Sequence, residues 1–414
     1  MAAGDIKIQT IKIGKMQPQI AGFNIYEDIL NPYGPLAEIR VIDPSDDLGK
    51  KNVSGSFQDD VEINFSGDDT IGSMGSGCKL KLKMYKNVNV NDMSIDNTGS
   101  GHHKQYDIRC ASEEFFNAQG NCIEKSFKGK TSDIVKHVVE KGFKSKKKFN
   151  ASNTKGNRQI VIPKSHPLDV LKKMNNEHVS DQYKSSVFAL FQKSGQGGDY
   201  EYHFKTFEEL FQQGPVAQLK QTATLNFKSS NQEKQNSILW FKPSANFFSG
   251  SRALSKTTQT GMDMTSHKIW EVKDQQQEPK FKSADSSKIY SSKASYSGNK
   301  SATVGYVQDK ANSKSKHETS KAKTNRAAFL SELAQTSAEL EIYYNPKITL
   351  GSMIQLDIPQ KANKSEGGEK QWNGKCLVVA IRTKYRVSRE PPNCTMILRV
   401  VKGNSYKEGG GGEA

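Results

Sequence analysis

Apolar residues recur at every second position over both ends of this chain, and that period is lost in the middle. Near the start it shows in IKIQTIKI (6–13), QIAGFNIY (19–26), LAEIRVID (36–43), DVEINFSG (60–67), CKLKLKMY (78–85) and QYDIRCAS (105–112). Side chains alternate between the two faces of a strand, so each segment offers one apolar and one polar face. Antiparallel strands packed on a core by one face satisfy such a pattern. Near the end the same period returns in AELEIYY (338–344), SMIQLDIP (352–359), CLVVAIRTKY (376–385) and CTMILRVV (394–401).

Between these regions the spacing becomes helical. TSDIVKHVVEKG (131–142) puts Ile134, Val135, Val138 and Val139 on one face, with Thr131 or Ser132 to cap the start and Gly142 to end it. SHPLDVLKKMNNEHV (165–179) sets Ser165 before Pro167 and turns Leu168, Leu171 and Met174 inward. SVFALFQKSGQGGDYEYHF (186–204) predicts a hairpin and TFEELFQQG (206–214) a short capped helix. Residues 214–260 return to strand text in TATLNF and SILWFKP, and RAAFLSELAQ (326–335) has helical spacing.

A chain of 414 residues exceeds one ordinary core, so several units are expected. The boundaries read as 1–112 for a first β unit and 113–213 for an α+β unit. A second, discontinuous β unit spans 214–260 and 323–405. A polar Ser/Lys-rich insertion fills 261–322, and 406–414 (from KEGGGGEA) is a flexible tail. The fold class is therefore α+β and mainly β. The first residues, MAAGDIKIQTIKIG, hold no apolar core of a signal peptide, and no run approaches a membrane span.

The formal charge is +16, which fits an anionic surface, an acidic partner or nucleic acid. Nearly half of it lies in one stretch: residues 282–326 hold ten Lys/Arg against three Asp/Glu. The five cysteines, Cys78, Cys110, Cys122, Cys376 and Cys394, show no metal-ligand spacing and read as small reduced side chains.

Two triplets of strands look alike. VEINFSG, CKLKLKMY and QYDIRCAS run strand, loop, longer strand, loop, strand, and so do MIQLDIP, CLVVAIRTKY and CTMILRVV. Loop lengths differ, which costs little. Antiparallel meanders resemble one another in general, so duplication and coincidence both stay open on this pattern alone.

No constellation carries chemistry. GSMGSGCK (72–79) has the glycine spacing of a phosphate loop, but Cys78 stands where lysine belongs and a strand follows instead of a helix. His102–His103 sits in a Gly/Ser-rich loop without further ligands. The pairs Asp59–Asp60 and Asp68–Asp69 flank one strand, where aspartate commonly starts turns. KSKKK (144–148), bracketed by Phe143 and Phe149, reads as a solvated basic loop ahead of a phosphate site. No catalytic, cofactor-binding or metal residue is assigned, and the chain is not expected to be an enzyme.

The order of elements resembles the central baseplate hub subunit of T-even-type contractile-tailed bacteriophages, over about residues 1–402. The likeness rests on YDIRCASEEFFNAQGNCIEKSFKGKTSDIVKHVV (106–139), HFKTFEELFQQGP (203–215) and AELEIYYNPKITLGSMIQLDIPQ (338–360), the last followed by WNGKCLVVAIRTKY and CTMILRVVK. The resemblance implies two tube-like β-barrel domains and a trimer whose six barrels make a pseudo-sixfold ring. That ring would adapt a sixfold tail tube to a threefold central spike and enclose the path of tape measure and DNA. The implied partners are a second and third copy of the chain, the spike protein (which in this family can carry lysozyme activity), the tail tube, the tape measure and baseplate wedge proteins. The implied location is the virion tail, assembled in the host cytoplasm. A spike-base protein of a related injection or secretion machine is the alternative, and a basic nucleic-acid-binding protein the weaker one.

Overall fold

A computed structural model describes residues 6–43, 46–54, 59–67, 77–94, 102–177, 179–182, 187–195, 197–221, 236–245, 257–263, 269–275, 302–308, 336–358, 372–387 and 394–402. Strand TATLNF, helix RAAFLSELAQ, Asp68–Asp69 and the C-terminal tail lie outside these residues.

The first stretch forms β1 (Ile6–Ile13), β2 (Gln19–Asp28), β3 (Leu36–Asp43), helix α1 (Asp47–Ser54), β4 (Asp60–Gly67), β5 (Cys78–Ser94) and β6 (His102–Ser112). Alternation does what the sequence asks. In β4 the inward residues Val61, Ile63 and Phe65 are buried while Glu62 and Asn64 are half-exposed.

The middle of the chain builds a second unit. Helix α2 (Glu113–Gln119) is capped by Ser112, whose hydroxyl accepts from the Phe115 amide, and β7 (Ile123–Gly129) follows. Helix α3 (Thr131–His137) continues into a π turn over Val138–Gly142. Then come β8 (Phe149–Ala151), β9 (Arg158–Ser165), α4 (Pro167–Glu177), β10 (Phe188–Ser194), β11 (Tyr200–Thr206) and α5 (Phe207–Phe211). The 186–204 hairpin, the proline-led helix and the Thr206-capped helix appear where expected. In α4, Val170 joins Leu171 and Met174 inside, and Leu168 is only half-buried. Strand β10 is buried on both faces. Phe188 and Leu190 pack with the helices of this unit, whereas Ala189 and Phe191 join the large core beneath it.

The chain then forms β12 (Pro215–Lys220), β13 (Ile238–Ala245), β14 (Thr257–Asp263), β15 (Ile269–Gln275), β16 (Ala302–Gln308), β17 (Thr336–Tyr343), β18 (Met353–Asp357), β19 (Gly374–Arg386) and β20 (Cys394–Val401). Strands β14–β16 make a separate three-stranded sheet in the order β15-β14-β16, which starts at Thr257 and straddles the expected boundary at 261.

Twelve strands form one sheet. Its main path is β1-β4-β5-β6-β3-β2-β19-β20-β17-β13, with β18 pairing both β19 and β12. Separate the strands by position in the chain and the same order emerges twice: β1-β4-β5-β6-β3-β2 and β12-β18-β19-β20-β17-β13. One core cluster runs under both halves, from Ile11 to Val401. The structure is mainly β and antiparallel, and no closed barrel appears among the described residues.

The registers of the two halves superpose residue on residue as far as Asn89, beyond which β5 has a second bulge, between Asn89 and Asn91, that β19 lacks. In β5 the pairing with β6 skips Tyr85, between Met84↔Cys110 and Lys86↔Arg109. In β19 the pairing with β20 skips Val379, between Val378↔Val400 and Ala380↔Arg399. Aligning those two bulges sets Cys110 on Val400, and their partners Ala37 and Ala338 then coincide. The next strand out repeats the agreement, because β2 bulges between Ile20 and Gly22 and β13 between Ile238 and Trp240. A surface ion pair is duplicated too: Arg109–Glu38 at 3.2 Å and Arg399–Glu339 at 3.3 Å. The same alignment lays Val61, Ile63 and Phe65 on Ile354, Leu356 and Ile358. The first strand of each half is where they differ, since β1 runs antiparallel to β4 and β12 runs parallel to β18. The polar insertion lies between β13 and β17, the counterpart of the short β2–β3 connection.

Candidate functional site: the seam between the two halves

The halves meet where β2 pairs with the outer part of β19, from Ala380↔Asp28 to Arg386↔Gly22. Strand β19 serves two partners along its length. Its first residues hold β18, and after the Val379 bulge the freed edge takes β2. The Ile29 amide donates to the Val379 carbonyl at 2.9 Å, so the bulge itself anchors the end of the seam.

Side chains fasten the ladder on both faces. Phe23 stacks on Tyr385 with ring centroids 5.1 Å apart. The Arg382 guanidinium lies 5.2 Å from the Tyr26 ring and donates to Asn24 Oδ1 at 3.2 and 3.3 Å. Tyr26 in turn donates to Glu38 at 2.9 Å, joining the seam to the duplicated ion pair. Gly22 is required by closeness: a Cβ there would sit 2.6 Å from the Tyr385 carbonyl oxygen.

Beneath the seam the middle unit docks. Glu27 from β2, Tyr200 from β11 and Cys78 from β5 meet in a small cavity of about 40 Å³, whose wall includes Tyr344, Thr383 and Met396 from the second half. The Tyr200 hydroxyl donates to Glu27 at 3.1 Å and stands 3.8 Å from the Cys78 sulfur. Burial pushes the Glu27 carboxyl up to about 7, against the opposing hydrogen bond from Tyr200. Burial raises Cys78 and Tyr200 strongly as well, so both stay protonated. A neutral thiol, a neutral phenol and a carboxyl shifted toward its protonated form join the first half to the middle unit, against a wall from the second half. They supply no activated nucleophile.

The sequence candidates disperse. Gly77–Cys78–Lys79 opens β5, and the Lys79 amide donates to the Gly198 carbonyl of the middle unit, so this end of the Gly-rich stretch is a docking edge. His102 and His103 belong to β6, opposite Ser94 and Met93, and correct the expectation of a loop. Asp60 pairs with Lys83 across β4–β5 at 3.2 Å. In the basic run Lys147 turns inward, 2.9 Å from the buried carboxylate of Glu114 and 2.8 Å from Gln192, while Lys148 pairs with Glu201. All five cysteines are free, four buried and Cys122 exposed. No cluster of three metal-ligating groups occurs among the described residues. Sequence reasoning missed the seam, a pairing across most of the chain with no local signature, and it also placed the end of the fifth strand at 85. Val88 and Val90 continue the alternation into KNVNVNDMS, and that was the available signal.

Two edges elsewhere copy the parts of this seam without a partner. Past its own bulge, β5 is paired only with β6 from Lys86 to Ser94 among the described residues. Strand β13 is paired only with β17 from Ile238 to Ala245.

No protein-family model matches this chain, and no curated protein matches it. Solved structures do share its fold. A tail protein from Neisseria meningitidis MC58 is similar over 96% of this chain and 96% of its own, with a TM-score of 0.56 and 11% identity. The 43 kDa tail protein of prophage MuSo2 from Shewanella oneidensis is similar over 97% and 99%, with a TM-score of 0.54 and 9% identity. The E. coli c3393 protein is described as a component of the type VI secretion system with structural similarity to the T4 bacteriophage tail proteins gp27 and gp5. It is similar over 96% of this chain and 76% of its own, with a TM-score of 0.52 and 7% identity.

Proposed function

We propose that this chain is a structural hub of a contractile phage tail. Three copies form a pseudo-sixfold ring that adapts a sixfold tail tube to a threefold central spike and encloses the channel for tape measure and DNA. The observation that carries this reading is the doubled strand order, with coincident bulges and a repeated ion pair, in a fold shared with phage tail proteins. A chain with two equivalent halves presents six equivalent units in a trimer and yet offers three-fold contacts to a spike. In this role the chain has wall and docking surfaces and no catalysis, and cell-wall hydrolysis belongs to a separate partner. The excess of basic charge assists docking to acidic neighbours.

Light scattering of the purified protein tests the oligomer. A mass three times that of the 46.0 kDa chain is expected, and monomer at every concentration, alone and with the tail tube or spike partner, would contradict the proposal.

A second reading, a component of a secretion or injection machine, draws on the likeness to c3393. The two separate by origin of the assembled particle: the hub reading requires the chain in purified virion tails.

A further inference from the structure

We propose that successive copies of the chain join by adding the free edge of β13 onto the free outer edge of β5, in the register of the β2–β19 seam. This rests on the ring reading above and specifies its intersubunit contact.

The argument is one of equivalence. The superposed registers make β13 the counterpart of β2, and the outer part of β5 the counterpart of the outer part of β19. The chain pairs β2 with β19 in itself. It leaves β13 and the outer part of β5 each with one partner among the described residues. Both edges belong to the same chain and do not meet there. Their partners are therefore supplied by neighbouring copies, β13 of one against β5 of the next. Such a contact joins different surfaces on the two copies, the head-to-tail type that closes into a ring.

Both edges are partly protected, β5 by Lys86 and a second bulge between Asn89 and Asn91 and β13 by Lys242 and Pro243, so the open stretch of β5 is the short run from Lys86 to Asn89. That run is paired on one side among the described residues and is a template for strand addition. Tyr85 at the bulge and Val88 beyond it are large apolar residues that stand exposed, at 43% and 39%. In the seam, the equivalent bulge residue is Val379, whose carbonyl receives the end of β2.

The register follows. Arg382↔Tyr26 and Thr383↔Ile25 in the seam translate to Val88↔Ser244 and Asn89↔Pro243 between copies. Pro243 brings no donor, so this second seam is at most one hydrogen bond poorer there.

Cysteine cross-linking of the full chain tests it, in a Cys122→Ser background that removes the exposed thiol. With oxidised glutathione, Val88→Cys/Ser244→Cys should give a covalent three-chain species that dithiothreitol reverses. Mixed single variants should give covalent dimers. Val88→Cys/Lys242→Cys, displaced by two residues, should cross-link at least tenfold less, because a disulfide requires closely opposed Cβ atoms. Hydrogen exchange on the unmodified chain provides a check free of substitutions. The edge-facing amides among residues 86–89 and among 241, 242, 244 and 245 should exchange at least tenfold more slowly in the oligomer than after dilution to monomer. A trimer by light scattering with no register preference, or with these amides unprotected, overturns the proposed edges and leaves the ring. Monomer throughout overturns the ring reading and the edges with it.

Discussion

Glu27 is the residue through which three parts of the chain feel pH. Burial raises its carboxyl in the folded state, so the stability it contributes is fully present below the ordinary carboxyl range. That stability is lost as pH rises through about 7. The protein should lose about 2 kcal/mol of unfolding free energy between pH 5 and pH 9, after allowance for solvent screening. Urea titrations across that range check the slope, and Glu27→Gln, which keeps an acceptor for Tyr200, should flatten it. Glu114 is a buried acid whose oxygens are held by Lys147 and Ser145. Lys147→Met leaves that acid unpaired and should cost about 3 kcal/mol by urea denaturation, with part regained in the Glu114→Gln/Lys147→Met double variant. The duplicated pairs Arg109–Glu38 and Arg399–Glu339 are exposed, so breaking either should change stability by less than about 1 kcal/mol. Their value lies in marking equivalent positions. Lys147 shows where sequence reading ends at this scale: a run of lysines reads as solvated, and only the fold reveals which one faces a buried acid.

Strands were the most legible elements, and their limits the least. Alternation located β1–β6 and β17–β20 because each has one face on the core. It stopped short on β5, where asparagines dilute the pattern and the strand continues through KNVNVNDMS to Ser94. That missed half is the edge outside the β4 pairing, so a weaker apolar alternation is its physical signature. Helix α2 was missed because Ser112 reads as the last strand residue, although the Glu113–Glu114 pair after it is a helix-start signal. The parallel pairing of β12 with β18 has no local signature at all. Bulges likewise are invisible in the sequence, yet they decide the topology, because each frees an edge for a new partner. Gly22→Val should therefore act on the whole element. Its side chain would push against the Tyr385 carbonyl and part β2 from β19, costing about 2 kcal/mol. Hydrogen exchange should show faster amides at 380–386 while the β10–β11 ladder stays protected.

At the scale of the molecule, the strands in DVEINFSG (60–67) and SMIQLDIP (352–359), β4 and β18, hold equivalent places in the two halves, a correspondence the sequence comparison raised and left open. The triplets that contain them are each continuous meanders, β4-β5-β6 and β18-β19-β20. The continuity of the halves through β2–β19 was not legible, because long-range pairing depends on which edges the bulges leave open. Two separate tube-like barrels were the expectation, whereas one shared core runs beneath a single sheet. On the proposed ring reading, a doubled unit with one internal junction and, among the described residues, two edges of single pairing is one of three segments. Electron microscopy of the purified oligomer, viewed down its axis, tests this most directly. The account predicts a ring with a central opening and six similar lobes alternating in two kinds, related by three-fold symmetry. A compact particle without an opening, or a ring with any number of lobes other than six, would contradict it.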